Sequence, residues 1–364
     1  MSNTKHLADL LKVCSILPAL VIMPAVAGQV ERVVTETGKE YTWTNNTISG
    51  FSTNPKEDAT WDAGLVKVSK GSTLTIEGGN YSNIKSAHDV CGVGGVVGQS
   101  SNATNNATVV VKDYKGSRAQ FKNNSAYAAG CAMLLGRVAE IENADFIGNS
   151  VYGTVIGDNS NSDTSIDGGG ALFFGSSSIV AVENSDFVSN TSTSDGGAIA
   201  MRAPAMGDNS AAKLDIFDDR FSGNSAVMKG GAIYSTFYDS KTERNAVYIK
   251  GSQFEGNSAA SGGAIYNDGV PDKKDNKASM KIVDSDFTEN TAGGNGAAIF
   301  NKGNLSILDS DLMAILHMDI MVVPFIIRRL VISRCWMRAL TVIRSRLMIL
   351  QLVVLLQILV KLEI

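Results

Sequence analysis

Phe254-Glu255-Gly256-Asn257-Ser258, followed by Gly262-Gly263-Ala264-Ile265, is the stretch whose reading decides the fold. A phenylalanine with asparagine three residues later recurs at Phe121/Asn124, Phe146/Asn149, Phe187/Asn190, Phe221/Asn224 and Phe287/Asn290. The small-residue block recurs as Gly196-Gly197-Ala198-Ile199 and Gly230-Gly231-Ala232-Ile233. Looser forms are Gly169-Gly170-Ala171-Leu172, Gly130-Cys131-Ala132-Met133 and Gly296-Ala297-Ala298-Ile299. Successive phenylalanines lie 25, 41, 34, 33 and 33 residues apart. A period of this size denotes one supersecondary unit stacked on copies of itself.

Short alternating runs precede the phenylalanines, among them Leu214-Asp215-Ile216, Val247-Tyr248-Ile249 and Met280-Lys281-Ile282. Alternation over so few residues is the strand period, and nothing in the unit has helical spacing. Two or three short strands per unit suit one coil of an all-β, parallel β-helix. Each repeat position would then lie about 4.8 Å above its counterpart. The phenylalanines would form an interior stack and the asparagines an amide ladder at one turn. The glycines suit a corner that needs positive φ or close backbone approach. Both columns are thus structural in this reading.

The pairing of F-x-x-N with G-G-A-[ILV] resembles the repeat of the chlamydial polymorphic outer membrane proteins. More broadly it resembles the right-handed, pectin-lyase-like β-helix passengers of autotransporter adhesins. The resemblance covers roughly residues 70–311. It implies a surface-displayed passenger used in adhesion to a host-cell or matrix ligand, protein or glycan, and carried by a C-terminal membrane β-barrel. The chain departs from that pattern because no barrel follows, so the expectation is a truncated passenger.

Lys5, His6 and Lys12 precede an apolar run from Val13 to Met23 and then Ala25-Val26-Ala27. That order describes a secretory signal peptide at 1–27, leaving the passenger at 28–311. The apolar run is short for an uncleaved span. A net charge of −4 and a pI near 5.5, with no basic stripe, exclude nucleic acid as an expected partner. Cys91 and Cys131 each fall ten residues after an aromatic, Tyr81 and Phe121. On adjacent coils they would stand within disulfide reach, which export permits. The alternative is two small residues in a small-residue column.

Outside the signal and the tail, His88 is the one histidine, so no His-based triad or multi-histidine zinc site is expected. The enzymatic alternative is a polysaccharide lyase or hydrolase, which needs clustered carboxylates and a basic residue facing a groove. Asp215, Asp218, Asp219 and Arg220 are close in sequence, but the column before each phenylalanine (Asp145, Asp186, Arg220, Gln253, Asp286) reads as a solvated turn. Asp158 to Asp163 lacks the central glycine and terminal glutamate of a calcium loop. A non-enzymatic protein without metal or cofactor is the expectation, with a structural surface stalk as the other rival. Four long segments, Gln99–Asn106, Arg202–Ala212, Thr236–Ala246 and Asn267–Ala278, separate a glycine-type strand from the next alternating strand. They would emerge along one edge, where per-repeat insertions commonly bind partners.

From 312 the chain changes character. All 36 glycines and the last asparagine, Asn304, precede that point, and residues 312–364 hold five methionines and six arginines. Loss of one T from GAT-TTT-AAT yields Asp-Leu-Met, as at Asp311-Leu312-Met313. In the restored frame Met318/Asp319 and Met321/Val322 must each give glycine, while Trp336/Met337 and Met348/Ile349 must each give aspartate. Residues 311–327 can be read back as DFNGNTAYGYNGGAIYN. Residues 312–364 are therefore expected to be a frameshift-derived tail, disordered or falsely helical.

Overall fold

The computed structural model describes residues 33–52, 65–86, 95–99, 107–153, 167–175, 178–202, 212–236, 247–268, 280–313, 320–322 and 325–330. Residues 1–330 form one compact unit, and 331–364 a second that lies wholly outside the described residues. The expected signal peptide at 1–27 lies outside them too.

One coil shows how the sequence writes the fold. Lys213–Phe217 is the alternating strand, burying Leu214 and Ile216. The chain turns through Asp218 at φ 56° and enters the strand Arg220–Ser222, which buries Phe221. A second turn, with Gly223 at φ 63°, leads to the two-residue strand Ser225–Ala226. The Gly230-Gly231 corner then opens the strand Ile233–Ser235. After an inserted segment the next coil begins at Val247.

Every strand pairs in parallel with its counterpart one coil away. Among the described residues the glycine strands build a 10-stranded sheet and the two-residue strands a 7-stranded one. The alternating and phenylalanine strands share an 18-stranded sheet. The described residues hold no helix. The architecture is a right-handed parallel β-helix, as the repeats imply.

Phe121, Phe146, Phe187, Phe221, Phe254 and Phe287 lie in register inside the coil and are fully buried. Their rings stack at 4.9, 4.8, 4.8, 4.8 and 4.6 Å between centroids, in that order. Tyr81 extends the stack at 5.2 Å and Trp43 at 6.0 Å, and strand register pairs Tyr81 with Phe121. Coil spacing sets this parallel geometry, close to the strand separation of a sheet.

Asn124, Asn149, Asn190, Asn224, Asn257 and Asn290 form the amide ladder. Asn124 donates through Nδ2 to Asn149 Oδ1, Asn149 to Asn190, and Asn190 to Asn224, each at 2.9 Å. Asn224 continues to Asn257 at 3.0 Å, and Asn257 to Asn290 at 2.9 Å. From Asn149 on, Nδ2 also donates to the phenylalanine carbonyl of the preceding coil. The same Oδ1 accepts the neighbouring backbone amide. All six asparagines are buried, so their part is to satisfy buried amides at a turn where no β-ladder reaches them.

The two glycines of the block do different work. Gly230 has φ +66°, a conformation that L side chains rarely adopt. Gly231 is required by proximity, since a Cβ there would collide with the carbonyl oxygen of Gly263 on the next coil.

Two sequence expectations change, while the Cys91–Cys131 alternatives turn on a residue outside the described ones. The column before each phenylalanine is an outward position within a strand rather than a turn, where Arg118 pairs with Asp145 at 2.6 Å and with Asp186 at 3.4 Å. Strand register places Gly95 beside Cys131, because the extra residues of that coil fall between Ser86 and Gly95. Cys131 is a buried free thiol packed with Ala126 and Val151, and burial pushes its pKa up. Cys91 lies outside the described residues. Finally, the described part of 312–330 is strand, not helix or disorder. Leu312 and Met313 continue the strand Leu305–Met313, and 320–322 and 325–330 pair with the coil above. A sheet edge offers unpaired amides and carbonyls, and Ile- and Val-rich segments readily take them.

Candidate functional site on the glycine face

The strands carrying the G-G-A-I block bury both of their faces. Ile233, Ile265 and Ile299 point into the main core. The residues that follow them, Tyr234, Tyr266 and Phe300, belong to a separate apolar cluster with Phe173 and Ala200. Alternation along a strand places this second row on the outer side of the sheet. Tyr266 stacks on Phe300 at 4.5 Å and lies 5.8 Å from Tyr234.

Cations lie over this row. Lys229 is 5.5 Å from the Tyr234 ring and 5.2 Å from that of Tyr266, and Lys302 is 5.5 Å from Tyr266. Asp268 joins them, 3.0 Å from Lys302 and 3.8 Å from Lys229. Hydrogen bonding to Tyr266 and to Asp268 raises the Lys302 pKa. One coil earlier the outward residue is the small Ala200, and there Arg202 reaches two carboxylates. Its Nη2 lies 2.8 Å from both Asp167 Oδ1 and Asp195 Oδ2, and its Nε donates to the Asp167 carbonyl at 3.0 Å. Ser194 Oγ donates to Asp167 Oδ2 at 2.7 Å. The guanidinium sits 5.0 Å from the Tyr234 ring. Burial pushes Asp195 up to about 6 although Arg202 and Lys229 oppose it, and its Oδ1 has no partner.

Arg202, Thr236, Asp268 and Lys302 are successive members of one column, each donating its amide to the coil before. Three of them open the inserted segments. Arg202 precedes 203–211 and ties it to Asp167, which closes 154–166. Asp268 precedes 269–279 and holds Lys302 and Lys229. Gln99 precedes 100–106 and donates at 2.7 Å to the carbonyl of Ala107, which ends that segment. The chemistry is that of anchorage, because Arg202 engages both buried carboxylates and Asp268 is held by two lysines.

The carboxylates singled out from the sequence do not converge. Asp219 is buried in a turn ladder, Asp215 pairs with Lys213, and Arg220 reaches Glu255 at 3.7 Å. Among the described residues no three His, Cys, Asp or Glu side chains could hold a metal ion. His88, the 158–163 segment and the tips of the edge segments lie outside them. Sequence reading missed the outer row and its cations. The available signal was an aromatic directly after the isoleucine in three consecutive blocks.

Three stretches, 220–236, 251–268 and 284–302, match the Chlamydia polymorphic membrane protein (Chlamydia_PMP) repeat. The chain carries that repeat. Each match to the polymorphic membrane protein repeat runs from a phenylalanine strand or the turn before it through a glycine strand. No curated relative and no solved structure matches the chain. Among the described residues no helix is long and apolar enough to cross a membrane, which leaves strand-built spans unaddressed.

Proposed function

We propose that this chain is an exported, surface-displayed β-helix passenger that binds a host-cell or matrix ligand through its edge segments. The observation that carries the reading is the shared root of those segments. Insertions of variable composition spring from one edge of a rigid stack, and the buried Arg202–Asp167 pair, the half-exposed Lys302–Asp268 pair and the Gln99 hydrogen bond fasten their bases. Fastened roots reduce the ordering cost of binding. The polymorphic membrane protein repeat supports display at the outer membrane, and the N-terminal Lys-rich, apolar, A-x-A order supports export with cleavage after Ala27.

Replacing 237–246 and 270–278 by short Gly-Ser links tests this. The circular dichroism spectrum should stay that of the parent, and adhesion of coated beads to host cells should be lost. Adhesion at the parental level would sink the proposal. The carbohydrate-active alternative draws on Asp167, Asp195 and Arg202. Release of new reducing or unsaturated ends from polysaccharides, abolished by Asp195→Asn, would decide for it.

A further inference from the structure

From Leu305 to Asp311 the last in-pattern coil repeats the columns of the coil before it. Ile307 is buried as Ile282 is, and Asp309 takes the positive φ of Asp284. Ser310 Oγ accepts the amide of Ser285, as Ser285 Oγ accepts that of Ser252. At 312 the pattern breaks, where Leu312 stands opposite Phe287. Beyond it stacking degrades. The pairing of Phe325–Leu330 with the coil above contains register shifts, and no other described strand pairing does. Twenty residues separate Leu305 from its partner Phe325, whereas no earlier coil is shorter than the twenty-five from Phe121 to Phe146.

We infer that positions 312–327 are the out-of-frame reading of one further β-helix coil, whose in-frame sequence is DFNGNTAYGYNGGAIYN from 311. The genetic code forces the glycines at 314, 319 and 322 of that string, and the first and last of these meet a demand of the fold. Met313 ends in G and Ala314 begins GC, so position 314 becomes GGC. Met321 ends in G and Val322 begins GT, so position 322 becomes GGT. Position 314 precedes the ladder asparagine, a site of positive φ in the five preceding coils at Gly148, Ser189, Gly223, Gly256 and Glu289. Position 322 is the first glycine of the block, where Gly196, Gly230, Gly262 and Gly296 all have positive φ. Both of these forced glycines thus fall where a left-handed backbone is needed.

The string also fills two columns that only the fold reveals. A tyrosine at position 326 continues the outer row after Tyr234, Tyr266 and Phe300. An asparagine at position 327 continues the buried pair in which Asn267 Nδ2 donates to Asn301 Oδ1 at 2.6 Å. Threonine and alanine at 316 and 317 follow the new ladder asparagine as Thr291 and Ala292 follow Asn290. An unrelated apolar segment has no reason to meet these demands together.

The nucleotide sequence tests this through silent third bases. The inference requires TTA at Leu312, GCA at Ala314, GTG at both Val322 and Val323, CCA at Pro324, TTT at Phe325 and ATA at Ile326. Any other third base at Val322 or Val323 removes the glycine–alanine block and overturns it. As a protein-level test, the chain with the T restored should melt higher than the present chain. Alanine at position 312 of the restored chain should reverse that gain. A restored chain that melts no higher would count equally against the added coil.

Discussion

At the scale of the residue, Asp219 is the misfit of an otherwise regular column. Ser185, Ser252, Ser285 and Ser310 occupy its place in other coils, each accepting or donating along the turn. Asp219 Oδ1 accepts the Ser185 amide at 2.6 Å, while its buried Oδ2 has no partner. Burial holds its pKa well above the ordinary value, Asp218 and Asp186 add to that, and the Ser185 amide opposes it. A carboxyl whose folded pKa is raised contributes stability that is fully present below its unfolded pKa and is lost as pH rises through the folded pKa. Asp219→Ser should therefore stabilise the protein at pH 7 by roughly 1–3 kcal/mol. The gain should shrink toward acid pH, where the wild-type carboxyl is neutral. Denaturant melts of both proteins at pH 5 and pH 8 measure it, and a gain that grows in acid contradicts the assignment.

At the scale of the element, the corner before each glycine strand is where backbone meets backbone. A Cβ at Gly197, Gly231 or Gly263 meets the carbonyl oxygen of the following coil, which cannot move without opening the sheet. Gly231→Ala should destabilise by about 1–3 kcal/mol or more, as overpacking does. Gly293 makes the control. A Cβ there meets nothing nearer than 3.9 Å, so Gly293→Ala should stay within roughly 0.5 kcal/mol of wild type. Equal effects from the two substitutions, read as thermal melts, would refute the corner argument.

At the scale of the molecule, stability is carried by columns that run from coil to coil, and each coil touches only its neighbours. The ring stack from Trp43 to Phe287 is one of these. Phe221→Ala should cost roughly 3–5 kcal/mol. The loss should be felt locally, with amide hydrogen exchange rising first around Phe187 and Phe254. The strands Thr73–Glu77 and Thr108–Lys112, several coils away, should keep their protection. Uniform loss along the chain would show that the stack unfolds as one unit.

The phenylalanines, the asparagines and the glycine block were legible in the sequence because each repeats in register. A parallel coil brings equal positions together at strand spacing, so linear recurrence translates directly into a ladder. The change at Leu312 was legible for the same reason, as a recurrence that stops. The outer row of Tyr234, Tyr266 and Phe300 was decided by the tertiary structure. So were the reach of Arg202 across Ala200 to Asp167 and Asp195, and the place of Gly95 beside Cys131. The Arg202 contacts join residues that share no repeat position, across insertions of unequal length. Linear spacing does not encode which side chains such insertions bring together, and only the packed coils place them.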